Sequence, residues 1–378
     1  MKKHRRDILA IAQKYRGSDT PLCEHFGECG GCLFQDIAYA HQQSLKLKYL
    51  NALFAGIIPI DEIVPSSPYA YRNRMDYVTA FGKIGLRKAG RYRHVVDVTS
   101  CALLQHKSGA LFQKLRPAVS RIEDYDYVKH EGYLRYVVLR QGFFTGETMV
   151  NFITSRDEDR ISAEIADIIA ETDSASIIAN DSLADTSFGT EFKALKRGNI
   201  FEEFDGIRYL ITPNSFFQSN SHVARELYRR IKSRISGQRV LDLFCGAGTI
   251  SLFIADAAEH VTGVELSRES IISAEENKRI NSISNVDFVC ADATQFLIER
   301  AMDFDMIIID PPRGGLHPKL VRHLAARAPK HIIYVSCNPP LLRQDLEVLT
   351  EYSCDSITAF DMFPQTPHVE LMAILCRK

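Results

Sequence analysis

Five short apolar runs alternate with longer helical stretches in the part of the chain that begins at Arg239. The runs are Val240–Phe244, Val261–Leu266, Val286–Cys290, Met306–Ile309 and Ile332–Val335. A parallel strand that is buried on both faces gives a continuous apolar run, and the segments between these runs are long enough for crossover helices. The alternation therefore predicts an α/β fold with a doubly wound, mainly parallel sheet.

The composition is that of an ordinary globular chain, with 46% hydrophobic and 25% charged residues and a net charge of −1. This balance excludes a globally basic polymer-binding protein but leaves room for a local basic patch. No apolar run reaches the length of a membrane span, and the N-terminus lacks the apolar core of a signal peptide. We therefore expect a cytoplasmic protein with no membrane partner, in which clustered cysteines serve a metal or catalysis rather than disulfides.

The texture of the sequence divides the chain into four parts. Residues 1–35 predict a short helix and a cysteine-bearing loop, and residues 36–64 predict a helical segment packed on the catalytic domain. Residues 65–200 predict a β-rich domain with hairpin turns at Gly82-Lys83 and Thr145-Gly-Glu147, and residues 201–378 form the α/β domain. Within the β-rich part, residues 157–173 have helical spacing, with Ile161, Ile165, Ile168 and Ile169 on one face.

A glycine loop follows the first apolar run. Gly246 and Gly248 permit a tight turn and a close backbone approach to a ligand, although the third glycine of the dinucleotide fingerprint is missing. Glu265 ends the next run 19 residues after Gly246, where an acidic side chain accepts hydrogen bonds from ribose hydroxyls. Asp292 ends the third run, either as part of the same nucleoside pocket or as a helix N-cap. Two prolines after Asp310 direct the chain out of the fourth strand, which turns this carboxylate towards the pocket.

Two residues near the ends of later strands are candidates for covalent chemistry. Cys337 closes the fifth run and is either a packing residue or a nucleophile, and Glu370 follows a proline-containing loop that can approach the same cleft. A thiolate that attacks carbon 6 of uracil raises the electron density at carbon 5, which can then accept a methyl group. A base must afterwards remove the carbon-5 proton, and Glu370 suits that role. Arg313 is a candidate for the charge that favours the thiolate.

Five motifs resemble the signature of the RNA 5-methyluridine methyltransferases, and the likeness covers about residues 20–378. The motifs are Tyr71-Arg-Asn-Arg74, Phe216-Phe-Gln-Ser-Asn220, Asp310-Pro-Pro-Arg313, Ser336-Cys-Asn-Pro339 and His368-Val-Glu370. The resemblance implies a C-terminal class I, Rossmann-like S-adenosylmethionine-dependent methyltransferase domain. It implies that Cys337 is the nucleophile and Glu370 the base. The cofactor-binding residues that it implies are Gln218, Phe244, Gly246, Glu265, Asp292 and Asp310.

A cysteine triplet occupies a glycine-rich loop near the N-terminus. Cys23, Cys29 and Cys32 can converge because the glycines around them allow tight turns, and Cys101 is the best candidate for a fourth ligand. Four thiolates suit either zinc or an iron–sulfur cluster, and the spacing does not decide between them. The resemblance implies a 4Fe-4S cluster held in a smaller N-terminal and central β-rich domain. The remaining cysteines, Cys245, Cys290, Cys354 and Cys376, are predicted to be buried packing residues.

A basic segment lies between Tyr69 and Ser100, where seven Lys/Arg face two aspartates and aromatic residues are interleaved. Cations for phosphates and rings for unstacked bases suit single-stranded RNA, although an exposed β face of ordinary function has a similar composition. The candidate RNA contacts are Arg72, Arg74, Arg87, Lys88, Arg91 and Arg93.

The sequence therefore predicts an enzyme that methylates carbon 5 of uridine in structured RNA. Because only 22 residues precede Cys23, too few for the RNA-binding barrel of some relatives, we expect 23S ribosomal RNA as substrate. The same chemistry on a T-loop uridine of transfer RNA is the alternative. A non-catalytic RNA-binding assembly factor and an iron–sulfur redox protein that binds a nucleotide are the readings from other classes. No obligate protein partner is evident.

Overall fold

A computed structural model describes residues 2–161, 163–299, 304–327 and 329–378. The N-terminal helices are α1 (Lys2–Ala12) and α2 (Tyr39–Leu53), which confirm the helices predicted within residues 1–22 and 36–54. Both pack against the C-terminal α/β sheet, because Ile8 of α1 and Leu45 of α2 share a core with strand residues of that sheet. Within the described ranges, no helix has the length and apolar character needed to cross a bilayer.

A largely antiparallel sheet follows these helices and confirms the predicted β texture. Its region contains β1 (Ile63–Val64), β2 (Arg74–Ala80), β3 (Lys83–Lys88), β4 (Arg91–Asp97), α3 (His106–Val119), β5 (Tyr125–Asp126), β6 (Glu131–Gly132), β7 (Leu134–Gln141), β8 (Thr148–Thr154), α4 (Ala166–Glu171), β9 (Ser174–Ala179) and β10 (Glu191–Ala194). The strand order is β10-β9-β8-β7-β2-β3-β4, and only the β8–β9 pair among these is parallel. Both predicted hairpins are present, as β2–β3 and β7–β8.

Two helices of this region differ from the prediction. Helix α3 was not predicted, because it contains Gly109 and Pro117, which both weaken a helical signal. Helix α4 is shorter than the helix expected over 157–173. Ile161 and Ile165 are buried as expected but precede α4, since regular apolar spacing reports burial rather than helical backbone.

The C-terminal part is an α/β structure. Its elements are β11 (Ile200–Phe204), β12 (Ile207–Ile211), α5 (Ser221–Lys232), β13 (Arg239–Leu243), α6 (Thr249–Phe253), β14 (His260–Glu265), α7 (Arg268–Ile280), β15 (Val286–Cys290), α8 (Ala293–Glu299), β16 (Met306–Ile309), α9 (Pro318–Arg327), β17 (His331–Ser336), α10 (Pro339–Val348), β18 (Tyr352–Phe360) and β19 (Glu370–Arg377). The five apolar runs correspond to β13 to β17, and their pairing is parallel.

The strand order of this sheet is β1-β18-β19-β17-β16-β13-β14-β15, so β13 lies between the two directions in which the chain winds. Alternate side chains of β13 enter different cores: Leu241 packs with α1 and α2, and Val240 packs with α5 and α6. A ligand crevice is expected beyond the carboxyl end of β13, where the direction of winding reverses. β19 runs antiparallel to both of its neighbours, β17 and β18.

Candidate active site

The loop after β13 adopts a backbone shape that glycine favours. Gly246 and Gly248 have φ angles of 54° and 76°, and a Cβ added at Gly246 would meet no atom within 4 Å. Phe244 also has a positive φ, 65°, which is rare for a residue with a side chain. The amides of Phe244 and Cys245 both donate to the Val264 carbonyl, at 2.9 and 3.2 Å, and hold this turn against β14. Strained backbone of this kind is typical of ligand-binding loops.

The predicted acidic residues lie at the ends of the next two strands. The carboxylate of Glu265 accepts hydrogen bonds from the amides of Gly246 and Ser267, at 3.2 and 2.9 Å, and is thereby fixed beside the glycine loop. Asp292 accepts from the Gln295 amide at 2.9 Å, which is the N-cap arrangement for α8. Asp292 also lines the cavity described next, so the two alternatives for this residue are compatible.

A cavity of about 1050 Å³ opens at the carboxyl ends of these strands. Every residue predicted to take part in catalysis or cofactor binding lines it: Gln218, Phe244, Gly246, Glu265, Asp292, Asp310, Cys337 and Glu370. Its volume is that of a site able to hold a nucleoside-sized ligand together with a second reactant. The structure thus brings the two groups of predicted residues into one site.

The antiparallel β17–β19 pair explains why Cys337 and Glu370 are neighbours. Ser336, the last residue of β17, pairs with Leu371 of β19. Cys337 directly follows β17, and Glu370 directly precedes Leu371, so both lie at the same edge of the sheet. A parallel β19 would have placed Glu370 at the opposite edge.

The charges around Cys337 oppose formation of a thiolate. Burial, together with repulsion by Glu370 and Asp310, raises the pKa of the Cys337 thiol to about 11, and the Arg313 guanidinium offsets only part of this effect. The expectation that Arg313 favours the thiolate agrees in sign, but burial and the carboxylates outweigh it. Burial also raises the pKa of Asp310 to about 6. Burial and the neighbouring Asp310 hold the pKa of Glu370 well above its usual range.

Other cavity residues had no role assigned from the sequence. His368 lies 3.3 Å from the Arg313 guanidinium, measured from Nδ1 to Nη2, and belongs to the same motif as Glu370. Phe216 and Leu266 line the cavity although their exposed fractions are 76% and 69%. The available signal was their position, because each lies within two residues of a predicted cofactor residue and is apolar where a surface residue would be polar.

The predicted metal ligands line a second cavity of about 460 Å³. Cys23, Cys29, Cys32 and Cys101 all face it, and burial raises the pKa of Cys29 to about 11, with further repulsion from Cys101 and Cys23. Within the described residues, no group of three or more His, Cys, Asp or Glu side chains is arranged to hold a metal ion. The metal site therefore stays a prediction.

The remaining cysteines follow the packing prediction only in part. Cys245 is buried, whereas Cys354 and Cys376 are half-buried. The prediction is wrong for Cys290, which is exposed because β15 is an edge strand of the sheet.

Five of the six predicted RNA contacts fall into two groups, and Arg72 stands apart. Arg74 pairs with Asp76 at 2.8 Å and Arg87 with Asp185 at 2.6 Å, so neighbouring acids already partly neutralise both cations. Arg91 and Arg93 are exposed on β4, and Lys88 is half-exposed; no ion pair is found for these three among the residues that the structure describes. Arg72 differs from the others because it lines both cavities.

Comparison with known proteins gives matches over nearly the whole chain. Residues 199–378 match the family described as tRNA (Uracil-5-)-methyltransferase. The tRNA (uracil(54)-C(5))-methyltransferase of Pyrococcus furiosus is 37% identical over 361 residues, which cover 94% of this chain and 85% of that protein. An uncharacterized RNA methyltransferase of Caldanaerobacter subterraneus is 33% identical over 393 residues, covering 98% and 87% of the two chains.

A solved structure is similar to the same extent. The crystal structure of Pyrococcus abyssi tRNA (uracil-54, C5)-methyltransferase in complex with S-adenosyl-L-homocysteine has a TM-score of 0.82 and 34% sequence identity. The match covers 92% of this chain and 86% of that one. A match of this extent includes most of the β-rich sheet as well as the α/β part.

Proposed function

This chain belongs to the RNA uracil-5-methyltransferase family, and we propose that it transfers a methyl group from S-adenosylmethionine to carbon 5 of a uridine in transfer RNA. The observation that carries the proposal is the antiparallel register that sets Cys337 beside Glu370 at the cavity holding the predicted cofactor residues. Uridine 54 is the position we propose, because the Pyrococcus relatives are described as acting there.

The substrate proposed here differs from the expected 23S ribosomal RNA. That expectation rested on one feature, the short segment before Cys23. Similarity to transfer RNA enzymes across more than nine-tenths of the chain outweighs it, and the comparisons give ribosomal RNA no support.

S-adenosylmethionine supplies an electrophilic methyl group when it is bound in the cavity. Glu265, fixed by the Gly246 amide, is placed to accept from ribose hydroxyls, and Asp292 and Gln218 lie on the same cavity wall.

The Cys337 thiolate attacks carbon 6 of the uracil, forming a sulfur–carbon bond and an enolate. Carbon 5 of the enolate takes the methyl group, and the donor leaves as S-adenosylhomocysteine. Glu370 then accepts the carbon-5 proton, the sulfur–carbon bond breaks, and the 5,6 double bond returns. Since Cys337 is half-buried, the uridine must leave its stack to reach it, as in other enzymes that act on a base.

We also propose that Cys23, Cys29, Cys32 and Cys101 hold a 4Fe-4S cluster. Four thiols and no carboxylate among the ligands suit iron–sulfur chemistry, and zinc is the other metal that such a set accepts. Anaerobically purified protein should contain iron and acid-labile sulfide in equal amounts, and Cys101→Ser should lose both. Zinc without sulfide would overturn this assignment.

The test of function uses anaerobically purified protein with S-adenosylmethionine and unmodified transfer RNA, with unmodified 23S ribosomal RNA in a parallel reaction. We expect 5-methyluridine in the transfer RNA digest, detected by mass spectrometry, and none with Cys337→Ala. A uridine-54→cytidine transfer RNA should remain unmethylated. Product only in ribosomal RNA would overturn the substrate, and product in neither RNA would overturn the proposed activity.

A further inference from the structure

The loop over 361–369 joins β18 to β19 and carries residues of the active-site cavity. Thr366, Pro367, His368 and Val369 line that cavity, as does Glu370 at the start of β19. Gln365 is 2% exposed and is not among the described lining residues. Its side chain therefore points away from the active-site cavity, although the five residues that follow it line that cavity.

Gln365 is bound by three separate segments of the N-terminal part. Its carbonyl accepts from the amides of Leu33 and Phe34, at 2.7 and 3.1 Å, immediately after Cys32. Its side-chain amide donates to the Pro68 carbonyl at 3.3 Å. These contacts fix both its backbone and its side chain.

A reciprocal pair joins Gln365 to Gln42 of α2, which is fully buried. The Gln365 amide donates to Gln42 Oε1 at 3.0 Å, and Gln42 Nε2 donates to Gln365 Oε1 at 2.9 Å. Gln365 has a φ of 67°, a conformation that costs free energy for a residue other than glycine. The surrounding hydrogen bonds hold the residue in this conformation.

The first residue of the loop is held from the same helix. Lys46 of α2 forms a 2.6 Å ion pair with Asp361, and both side chains are fully buried. The Asp361 amide also donates to the Val64 carbonyl at 2.9 Å. Helix α2 thus contacts the loop at its start, through Asp361, and at its middle, through Gln365. The stretch after Gln365, which ends at Glu370, is the part that faces Cys337.

We propose that Gln365, held by Gln42, is a positioning residue that sets the loop so that His368 and Glu370 face Cys337. The proposal rests on the proposed function, because it assigns Gln365 to the step in which Glu370 removes the carbon-5 proton. Within the part of the chain that the structure describes, no hydrogen bond of the Gln42 or Gln365 side chain reaches a predicted cofactor residue. Loosening the loop should therefore slow elimination more than it affects cofactor binding.

The test compares Gln42→Leu, Gln365→Gly and the double variant. Glycine at 365 accepts the positive φ and removes only the side-chain contacts, so the backbone turn can persist. Gln141→Leu is the matched control, because Gln141 is also buried and its side chain accepts hydrogen bonds from Ser108 in the β-rich sheet.

The first readout is the balance between completed turnover and accumulation of the covalent protein–RNA intermediate. Both single variants should turn over at least about tenfold more slowly and should accumulate a covalent protein–RNA adduct that survives denaturing gel electrophoresis. Their dissociation constants for S-adenosylmethionine should stay within about twofold of the wild type. The slowing in the double variant should be smaller than the two single effects multiplied together, since the two substitutions share the Gln42–Gln365 contact. Each substitution also removes contacts of its own, those of Gln42 with the Phe34 and Ile37 carbonyls and that of Gln365 with the Pro68 carbonyl. Gln141→Leu should show no adduct.

The second readout does not need catalysis. Hydrogen–deuterium exchange should rise in residues 361–369 and at Leu33 and Phe34 in both variants, and should not rise there in Gln141→Leu. If the wild type methylates no RNA, the proposed function fails and this exchange experiment still decides the positioning role. Unchanged exchange would overturn the proposal, as would slower turnover with weaker cofactor binding and no adduct.

Discussion

Cys337 lies among carboxylates, with Glu370 and Asp310 raising the pKa of its thiol and the Arg313 guanidinium opposing them. Burial and the two carboxylates raise the pKa of this thiol and so disfavour the thiolate, which is the form that alkylating and oxidising agents attack. S-adenosylmethionine, when bound, would bring a positive charge to the same cavity and would lower the cost of forming the thiolate.

The pH dependence of methylation tests this arrangement. Because the pKa of Cys337 is raised to about 11 and the pKa of Glu370 is also raised, both reactive, deprotonated forms become more abundant as the pH rises. We expect single-turnover rates to increase between neutral pH and about pH 9.5, by up to about tenfold per pH unit. A rate that is flat or falls over this range would contradict the assignment.

Replacement of Arg313 tests the one opposing charge. Arg313→Gln removes the cation that lowers the pKa of Cys337, so the pH profile should move to higher pH and the rate at neutral pH should fall about tenfold. Arg313→Lys keeps the charge and should keep the profile. Equal profiles for the Gln and Lys variants would show that the guanidinium acts on something other than the thiol.

Replacement of Glu370 tests the assignment of the base. Glu370→Gln cannot accept the carbon-5 proton, so turnover should fall by about a hundredfold to ten-thousandfold while the methylated adduct on Cys337 persists. Denaturing gels with RNA labelled through the donor methyl group measure it. The double variant Cys337→Ala/Glu370→Gln is the control and should give no labelled protein. Free 5-methyluridine at the wild-type rate would exclude Glu370 as the base.

At the scale of elements, the β-rich sheet holds part of the predicted cofactor site. Asn73, just before β2, donates through its side chain to the Gln218 carbonyl and to Ser221 Oγ, each at 2.8 Å. Arg140 of β7 is buried and donates to the carbonyls of Thr212 and Ser215, at 2.7 and 2.8 Å. The segment that presents Gln218 is therefore shaped by strands of the other sheet.

Substitution of Asn73 should weaken cofactor binding without unfolding the protein. Asn73→Asp replaces the donor with an acceptor facing the Gln218 carbonyl, and we expect the dissociation constant for S-adenosylmethionine to rise about tenfold, measured by calorimetry. Asn180→Asp is the matched control, because the buried Asn180 side-chain amide also donates two hydrogen bonds, to the carbonyls of Thr186 and Phe188, but within the β-rich region. A similar rise in both variants would mean a general loss of stability.

The elements differ in how well the sequence predicts them. β16 matches its predicted bounds because it is buried along its whole length and gives an uninterrupted apolar run. β15 also matches its predicted bounds, although it is an edge strand in which Asp287 and Cys290 are exposed. Helix α3 has no comparable signal, since Gly109 and Pro117 obscure its apolar face. Contacts between elements are harder to predict than the elements themselves. Gln42 and Gln365 are 323 residues apart, and no pattern in the sequence indicates that these two glutamines pair.

The same contrast holds for the active site. Glu265 and Asp310 follow from strand ends, because the carboxyl ends of parallel strands meet at one edge. The closeness of Cys337 and Glu370 required the direction of β19, which periodicity alone leaves open. The pairing of Arg87 with an acid also required tertiary structure, since Asp185 lies far along the chain from Arg87, whereas Arg74 pairs locally with Asp76.

At the scale of the whole molecule, the two cavities adjoin. Arg72 and the Gly30-Gly31 backbone line both of them, so the cysteine loop forms part of the wall of the active-site cavity. The exposed cations of β4 lie in the sheet that also contains β2 and β3. An RNA held by that surface would pass the cysteine loop on the way to Cys337.

Neutralising the unpaired cations tests this route. The triple variant Lys88→Gln/Arg91→Gln/Arg93→Gln should weaken transfer RNA binding about tenfold and reduce its salt dependence, because phosphate contacts are lost. Binding of S-adenosylmethionine should not change. The control variant Lys107→Gln/Lys114→Gln/Arg121→Gln removes the same charge at α3 and its C-terminal end. Equal weakening by both variants would reduce the effect to net charge alone.

The strand that carries Glu370 is late in the sequence but internal in its sheet, between β17 and β18. During synthesis on the ribosome, β18 therefore emerges before the strand that joins it to the rest of the sheet. Until residues 370–377 are inserted, β17 has an open edge and the thiol at its end has no partner carboxylate. Pairing of β19 with β17 therefore both completes the sheet and brings Glu370 to Cys337, so a nascent chain acquires the proposed catalytic pair only when the sheet is complete.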